Sequence, residues 1–244
     1  MRSAAWFRSS GVALIGAMAL GAGGCADGAT PAGHPVVVEL FTSQGCSSCP
    51  PADAIMARLA QQAGVVAITR PVTYWDRFGW KDTLARPANT QLQQAYAARH
   101  IPGAGAYTPQ AVIDGRTGTV GGRESEIRTL IAQAAKAPAP ALIVEQTLDG
   151  GRIASLDGKT ATPAIVSLIA LRGLTTVAVG RGENGGRTVA YANAVISEAP
   201  LGSWAGGAKQ IAVAPARLHV PGAARYALLV RQGAAGPILA ARYL

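Results

Sequence analysis

Aromatic residues make up only 5% of this 244-residue chain and charged residues only 14%. The charge is one-sided, 22 Lys plus Arg against 13 Asp plus Glu, but the arginines stand singly at Arg58, Arg70, Arg77, Arg86, Arg99 and Arg116. With no run of five like charges and no interleaved aromatics, the chain lacks the footprint of a nucleic-acid surface, and none is expected as a partner. The excess charge implies weak attraction to anionic surfaces. Histidine is scarce too: His34, His100 and His219 are the only three, and none is spaced against a cysteine as a metal site requires. No metal or other cofactor is therefore expected. A hydrophobic fraction of 49% excludes a disordered chain, and 30 glycines with 15 prolines in no fixed period exclude a collagen-like repeat.

Long apolar runs are also missing. The longest, Gly11 to Gly24, falls short of the roughly 20 residues that a membrane span needs. Arg2 and Arg8 precede it, so residues 1–24 read as a secretory signal peptide. Cys25 comes after three small residues, Ala22, Gly23 and Gly24, as in bacterial lipoprotein signals, in which the cysteine is lipidated. Ordinary cleavage nearby and an uncleaved anchor remain open as alternatives. Each places the protein in the bacterial cell envelope, periplasmic with or without a lipid anchor on Cys25, or secreted. Membrane contact is expected only through that anchor, and residues 25–34 read as a tether.

Beyond the tether, strand and helix alternate. Residues 36–41, VVVELF, form an apolar β-branched run that reads as a buried strand. Residues 50–63 open on two prolines, tolerable only in a first helical turn, and Val65 to Val72 resumes a strand. A helix over 89–100, short strands at 111–114 and 119–120, and a helix over 124–137 complete the region. The Pro- and Ala-rich stretch near 138–141 marks a linker. Past it, short apolar runs with glycine-rich turns at about ten-residue spacing suggest an antiparallel sandwich or barrel over 142–244.

Cys46 and Cys49 stand three apart in GCSSCP, where the first strand hands over to the first helix. Free N–H groups and the positive end of the helix dipole stabilise a thiolate there, which makes Cys46 the nucleophile and Cys49 the resolving thiol. A structural disulfide or a metal pair are the other readings of the same spacing. Between Tyr74 and Trp80 stand four aromatic residues in a chain otherwise poor in them. Tyr74, Trp75, Asp76, Trp80 and Asp82 either line a groove over the cysteines or form a cluster joining two domains. Arg181, Glu183 and Asn184 fall in a glycine-flanked hairpin tip and read as a turn, a site or an inter-domain contact.

The order strand, CxxC, helix, strand, helix, Thr-Pro, hairpin, helix over 36–137 resembles a thioredoxin-like domain. More narrowly, VELFTSQGCSSCPPAD at 38–53, VTYWDRFGWKD at 72–82, YTPQ at 107–110 and RGENGGRT at 181–188 resemble a secreted bacterial family known as domain of unknown function twelve twenty-three. The resemblance implies an α/β thioredoxin-like domain, a mixed sheet flanked by helices, over 35–137, and a mostly β domain after it. It also implies that Pro109 is a cis-proline across from the cysteines, with Tyr107, Thr108, Tyr74 and Trp75 beside a bound substrate. Glu39, on the strand before the pair, takes the place of a buried acid that accepts the proton of the resolving thiol, though one residue further from the first cysteine. The function expected is thiol-disulfide exchange with protein or small-molecule thiols and a separate electron partner. The alternatives are an envelope binding module stapled by its disulfide, or a copper or zinc carrier.

Overall fold

The computed structural model describes residues 34–244 together with Met1; the leader, Cys25 and the tether up to residue 33 lie outside the described residues. Strand β1, Val36–Thr42, is buried along all seven residues. That is why its residues are apolar in succession, Glu39 apart, rather than alternating: both faces are covered, and β2, Val65–Pro71, pairs with it in parallel at one edge and β3, Gln110–Ile113, antiparallel at the other. Helix α1, Pro50–Leu59, has its two prolines in the first turn and buries Ile55, Met56 and Leu59. Its face packs with Val36, Val38 and Leu40 of β1. Each such aliphatic side chain contributes about 1.5–3 kcal/mol by leaving water. Helix α2, Pro87–Ala98, comes after β2, the hairpin of β3 with β4, Thr117–Val120, comes next, and α3, Glu124–Ala134, closes this stretch.

The later strands are β5, Ala141–Gln146; β6, Arg152–Asp157; β7, Ala164–Arg172; β8, Thr175–Ala178; β9, Thr188–Tyr191; β10, Ala194–Trp204; β11, Lys209–Val213; β12, Arg225–Gln232; and β13, Ile238–Tyr243. They do not build a separate body. The expectation of an α/β thioredoxin-like domain followed by a β sandwich or barrel is corrected here. With thirteen strands against three α-helices among the described residues, the protein is mostly β. Its main sheet has eight strands in the order β13-β12-β7-β10-β2-β1-β3-β4, drawn from both sides of residues 138–141.

The physical cause lies at the outer edge of β2, which would otherwise expose unpaired N–H and C=O groups. Thr69 closes that edge by donating its N–H to Asn193 O at 3.0 Å and its hydroxyl to Ala192 O at 2.6 Å. Asn193 sits at a φ of 53°, a conformation asparagine tolerates, and donates its side-chain amide to Ala67 O at 3.0 Å. From there β10 runs on as the antiparallel partner of β7, with register shifts between Val195 and Ser197 and between Pro200 and Gly202. The second shift lets a proline stand inside a strand. A three-stranded sheet, β11-β6-β5, packs on this half through Leu156, Ile211, Val166 and Trp204, and the β8-β9 hairpin forms a two-stranded arm whose β9 packs against α1.

On the face of β1 turned away from α1 lies an ion network. Glu39 is fully buried and accepts from Arg70 Nε at 2.6 Å, from Arg231 Nη2 at 2.7 Å and from the Tyr96 hydroxyl at 2.5 Å. Arg70 also donates to Glu198 at 2.8 Å. Burial alone would raise the Glu39 pKa; Arg231 and Arg70 overcome it and hold the carboxyl down at about 2. Because β1 alternates, Glu39 shares its face with Val37 and Phe41, whereas Leu40 points toward α1.

Candidate functional site

Cys46 and Cys49 form a disulfide with their Cα atoms 5.4 Å apart, and Cys49 is the N-cap residue of α1. Both cysteines are completely buried, whereas Ser47 and Ser48 between them are exposed. The Ser48 hydroxyl lies 3.3 Å from Cys46 Sγ, in reach to donate to a thiolate. Three segments enclose the pair.

The first is the aromatic stretch. Gln44, just before the cysteines, donates its N–H to Asp82 at 2.8 Å and accepts on its side-chain oxygen from the indole N–H of Trp80 at 2.9 Å. Trp75 flanks Gly45 and donates its indole N–H to the Thr108 hydroxyl at 2.7 Å. The second is the Thr108-Pro109 bond, which is cis. Its seat is Gly121: a side chain there would put its Cβ 2.7 Å from Leu40 Cδ1, 3.0 Å from Pro109 Cβ and 3.2 Å from Ala52 Cβ. Only glycine lets Pro109 close against the first turn of α1 at that point. Tyr107 is tied back by its hydroxyl to Gly103 O at 2.8 Å, and the half-buried Tyr74 keeps its hydroxyl buried without a partner.

The third segment is the tip of the β8-β9 hairpin. Asn184 is fully buried and donates its amide to two carbonyls of the cysteine loop, Gln44 O at 3.0 Å and Cys46 O at 2.8 Å. Glu183 accepts the Ser47 N–H at 2.9 Å, and the Ser47 hydroxyl together with that N–H lowers its pKa. Gly182 and Gly186, at φ of 75° and 80°, give the tip the tight turns that aim these two side chains. Trp80 packs under the arm with Val179, Val189 and Tyr191. The aromatic stretch therefore both lines the cysteine loop and anchors the hairpin.

Cys46, Cys49, Trp75, Thr108 and Pro109 thus come together, with Tyr74 and Tyr107 adjoining. Glu39 does not join them, since its carboxyl is committed to Arg70 and Arg231 on the opposite face of β1. Cys25 lies outside the described residues. His34 Nε2 is 3.1 Å from Ala134 O, His219 Nδ1 is 2.7 Å from Pro215 O, and His100 is exposed just after α2. Among the described residues no three His, Cys, Asp or Glu side chains converge as a metal set would, and no helix is long and apolar enough to cross a membrane. Sequence reasoning left out Asp53 as a separate candidate. It is buried in α1 beside the pair, and its only sequence signal was its place at the end of VELFTSQGCSSCPPAD.

A mixed-sheet protein with a buried, loop-covered CxxC disulfide at a helix N-terminus is the class that this fold and site define. The chain belongs to the family described as Protein of unknown function (DUF1223), whose model matches residues 37–231. It is similar to a protein of Agrobacterium tumefaciens known from an X-ray crystal structure, at 26% identity and a TM-score of 0.74, over 87% of this chain and 94% of that one. HBP35 of Porphyromonas gingivalis shares the fold alone, at 15% identity and a TM-score of 0.53 over 87% of this chain and 75% of that one. No curated protein matches the chain.

Proposed function

We propose that the protein is an exported thiol-disulfide oxidoreductase whose Cys46-Cys49 pair works behind a hairpin cover. The observation that carries this reading is how the disulfide is closed in: it lies at the start of α1 beside Pro109, under a tip held to the cysteine loop through Asn184 and Glu183. When the tip lifts, a partner thiolate attacks Cys46 Sγ. The Cys46-Cys49 bond breaks, a Cys46-partner disulfide forms, and Cys49 leaves as the reduced sulfur. A second partner thiolate then attacks the partner's own sulfur, releasing the partner as a disulfide and Cys46 as a thiolate. Two electrons pass to the protein, the protons shed by the two partner thiols go to the reduced sulfurs or to solvent, and the reverse sequence reduces a partner disulfide.

Tyr107, Thr108, Tyr74 and Trp75 flank Pro109 and are proposed to bear on the partner chain. The partners are protein or small-molecule thiols, together with a separate electron partner. Export rests on Arg2, Arg8 and the apolar run that ends before Cys25, whose lipid would be the sole membrane contact.

The test is equilibration in glutathione or dithiothreitol buffers. A potential of roughly −270 to −120 mV is the range of catalytic disulfides. The complete burial of both cysteines favours a second reading, a stapled binding module, and a potential far below about −300 mV would establish it in place of the first.

A further inference from the structure

The carboxyl of Asp53 has no task in thiol exchange as set out so far. Asp53 is 1% exposed, and its N–H donates to Cys49 O at 3.1 Å. Residues four apart on a helix share one face with Cβ atoms about 5–6 Å apart, so Asp53 stands one turn from the resolving sulfur. Neither carboxyl oxygen of Asp53 has a hydrogen-bond partner, and the buried hydroxyls of Thr42 on β1 and Tyr191 on β9 have none either. An acid that served the dipole of α1 would face solvent or bond the free N–H groups of the first turn, and Asp53 does neither. A disulfide staple needs no acid at all.

Burial pushes the Asp53 pKa well above the ordinary carboxylate range; the Thr42 hydroxyl pulls the other way, and the nearby Asp82 adds a lesser push upward. The titratable groups facing it are Cys49 on its own helix, Tyr191 on β9, and Asp82 from the segment before α2. Burial therefore favours its neutral form over the carboxylate.

We propose that Asp53 is the buried acid that exchanges a proton with the Cys49 sulfur, an inference that rests on the reading of the protein as an oxidoreductase. As a partner thiolate displaces Cys49 from Cys46, the Cys49 thiolate takes the Asp53 proton and leaves a carboxylate. In the opposite direction the Asp53 carboxylate receives the proton of the Cys49 thiol as that sulfur attacks the mixed disulfide on Cys46. The proton count is the same at the start and end of each half, and Asp53 regains or loses its proton through solvent when the cover is open.

The experiment tracks the reduction of the full chain by dithiothreitol, and its reoxidation, across pH 4 to 9 for wild type and Asp53→Asn. The expected result is a wild-type profile with an inflection absent from the variant, and a loss of rate toward the roughly 10²–10⁴-fold span of general acid-base catalysis. An unchanged rate and profile in Asp53→Asn would overturn the role of Asp53 while leaving exchange standing. If wild type itself resists dithiothreitol, the exchange reading falls and this inference with it, so the two failures are told apart by the wild type alone. A measurement on wild type covers the case in which the variant does not fold. The carbon-13 carboxyl shift of Asp53, titrated in oxidised and reduced protein, should give two different midpoints, and identical midpoints would overturn the proposal.

Discussion

Replacing Asn184 with alanine tests whether the hairpin tip controls access to the disulfide. Its amide makes two hydrogen bonds to the cysteine loop, to Gln44 O at 3.0 Å and Cys46 O at 2.8 Å. A hydrogen bond of this kind contributes about 0.5–1.5 kcal/mol net, so Asn184→Ala should make opening easier by about 1–3 kcal/mol. At about 1.4 kcal/mol per factor of ten, the population of the open tip rises about 5- to 150-fold. Because both cysteines are completely buried, reduction by a small reagent proceeds only from the open form, and its rate should rise by the same factor. The assay is pseudo-first-order reduction by dithiothreitol in the range where the rate is linear in reductant. Repeating it at low urea excludes global unfolding as the route, because a rate governed by lifting one loop depends little on denaturant. Glu183→Ala removes only one hydrogen bond at the exposed rim and should accelerate reduction less. A rate for Asn184→Ala within about twofold of wild type would show that reductant reaches the sulfurs by another path and would refute the gate.

Two further predictions concern buried acids with opposite signs. Glu39→Gln leaves Arg70 and Arg231 without their shared carboxylate and should destabilise the protein by about 3–5 kcal/mol in urea unfolding, with no change in the pH profile of thiol exchange. The Glu39 carboxyl, held at about 2 against an ordinary 4.5, contributes stability that is present above pH 4.5 and lost as pH falls toward 2. Asp114 behaves the other way. Burial lifts its pKa from 3.8 to about 6 despite the 2.7 Å hydrogen bond from the Val37 N–H. Its contribution is complete below about pH 4 and falls by about 3 kcal/mol as pH rises through 6. In Asp114→Asn the loss of stability with rising pH should shrink by that amount in a pH series of chemical denaturations, and an unchanged slope would place the titration elsewhere.

The legible part of the sequence was its residue spacing over short distances. The Cys46-Cys49 interval, the prolines opening α1, and Thr108-Pro109 ahead of a hairpin are local signals, and the elements around them form close to where the pattern puts them. The orientation of Glu39 was not legible. β1 is apolar on both faces, so no alternation marked which face met α1, and counting from the cysteine did not settle the register. The join between the two halves was hidden for a different reason. It rests on Asn193, Ala194 and Ala192 meeting Thr69, which lies 123 residues from Ala192, and nothing in the local pattern points to so distant a partner. Asn184 lies 138 residues from Cys46, and no local pattern announces a contact at that distance. The burial of Asp53 depends on β9 as well as on its own helix, so its place at the end of the cysteine motif carried no sign of its isolation.

The shared sheet also sets an order of events during synthesis. Strands β1 to β4 are made first, yet the outer edge of β2 finds no partner until Asn193 and β10 have been added. Glu39 must wait longer, because its second cation, Arg231, comes 192 residues after it. A nascent chain stopped before β10 holds a bare strand edge, and one stopped before Arg231 an undercompensated buried carboxylate, so the early strands have no stable stopping place of their own. Closure of such distant pairings is slow and leaves the edge open to other chains while it lasts. Any fragment cut before β12 should therefore aggregate rather than fold, even when it carries the whole cysteine loop.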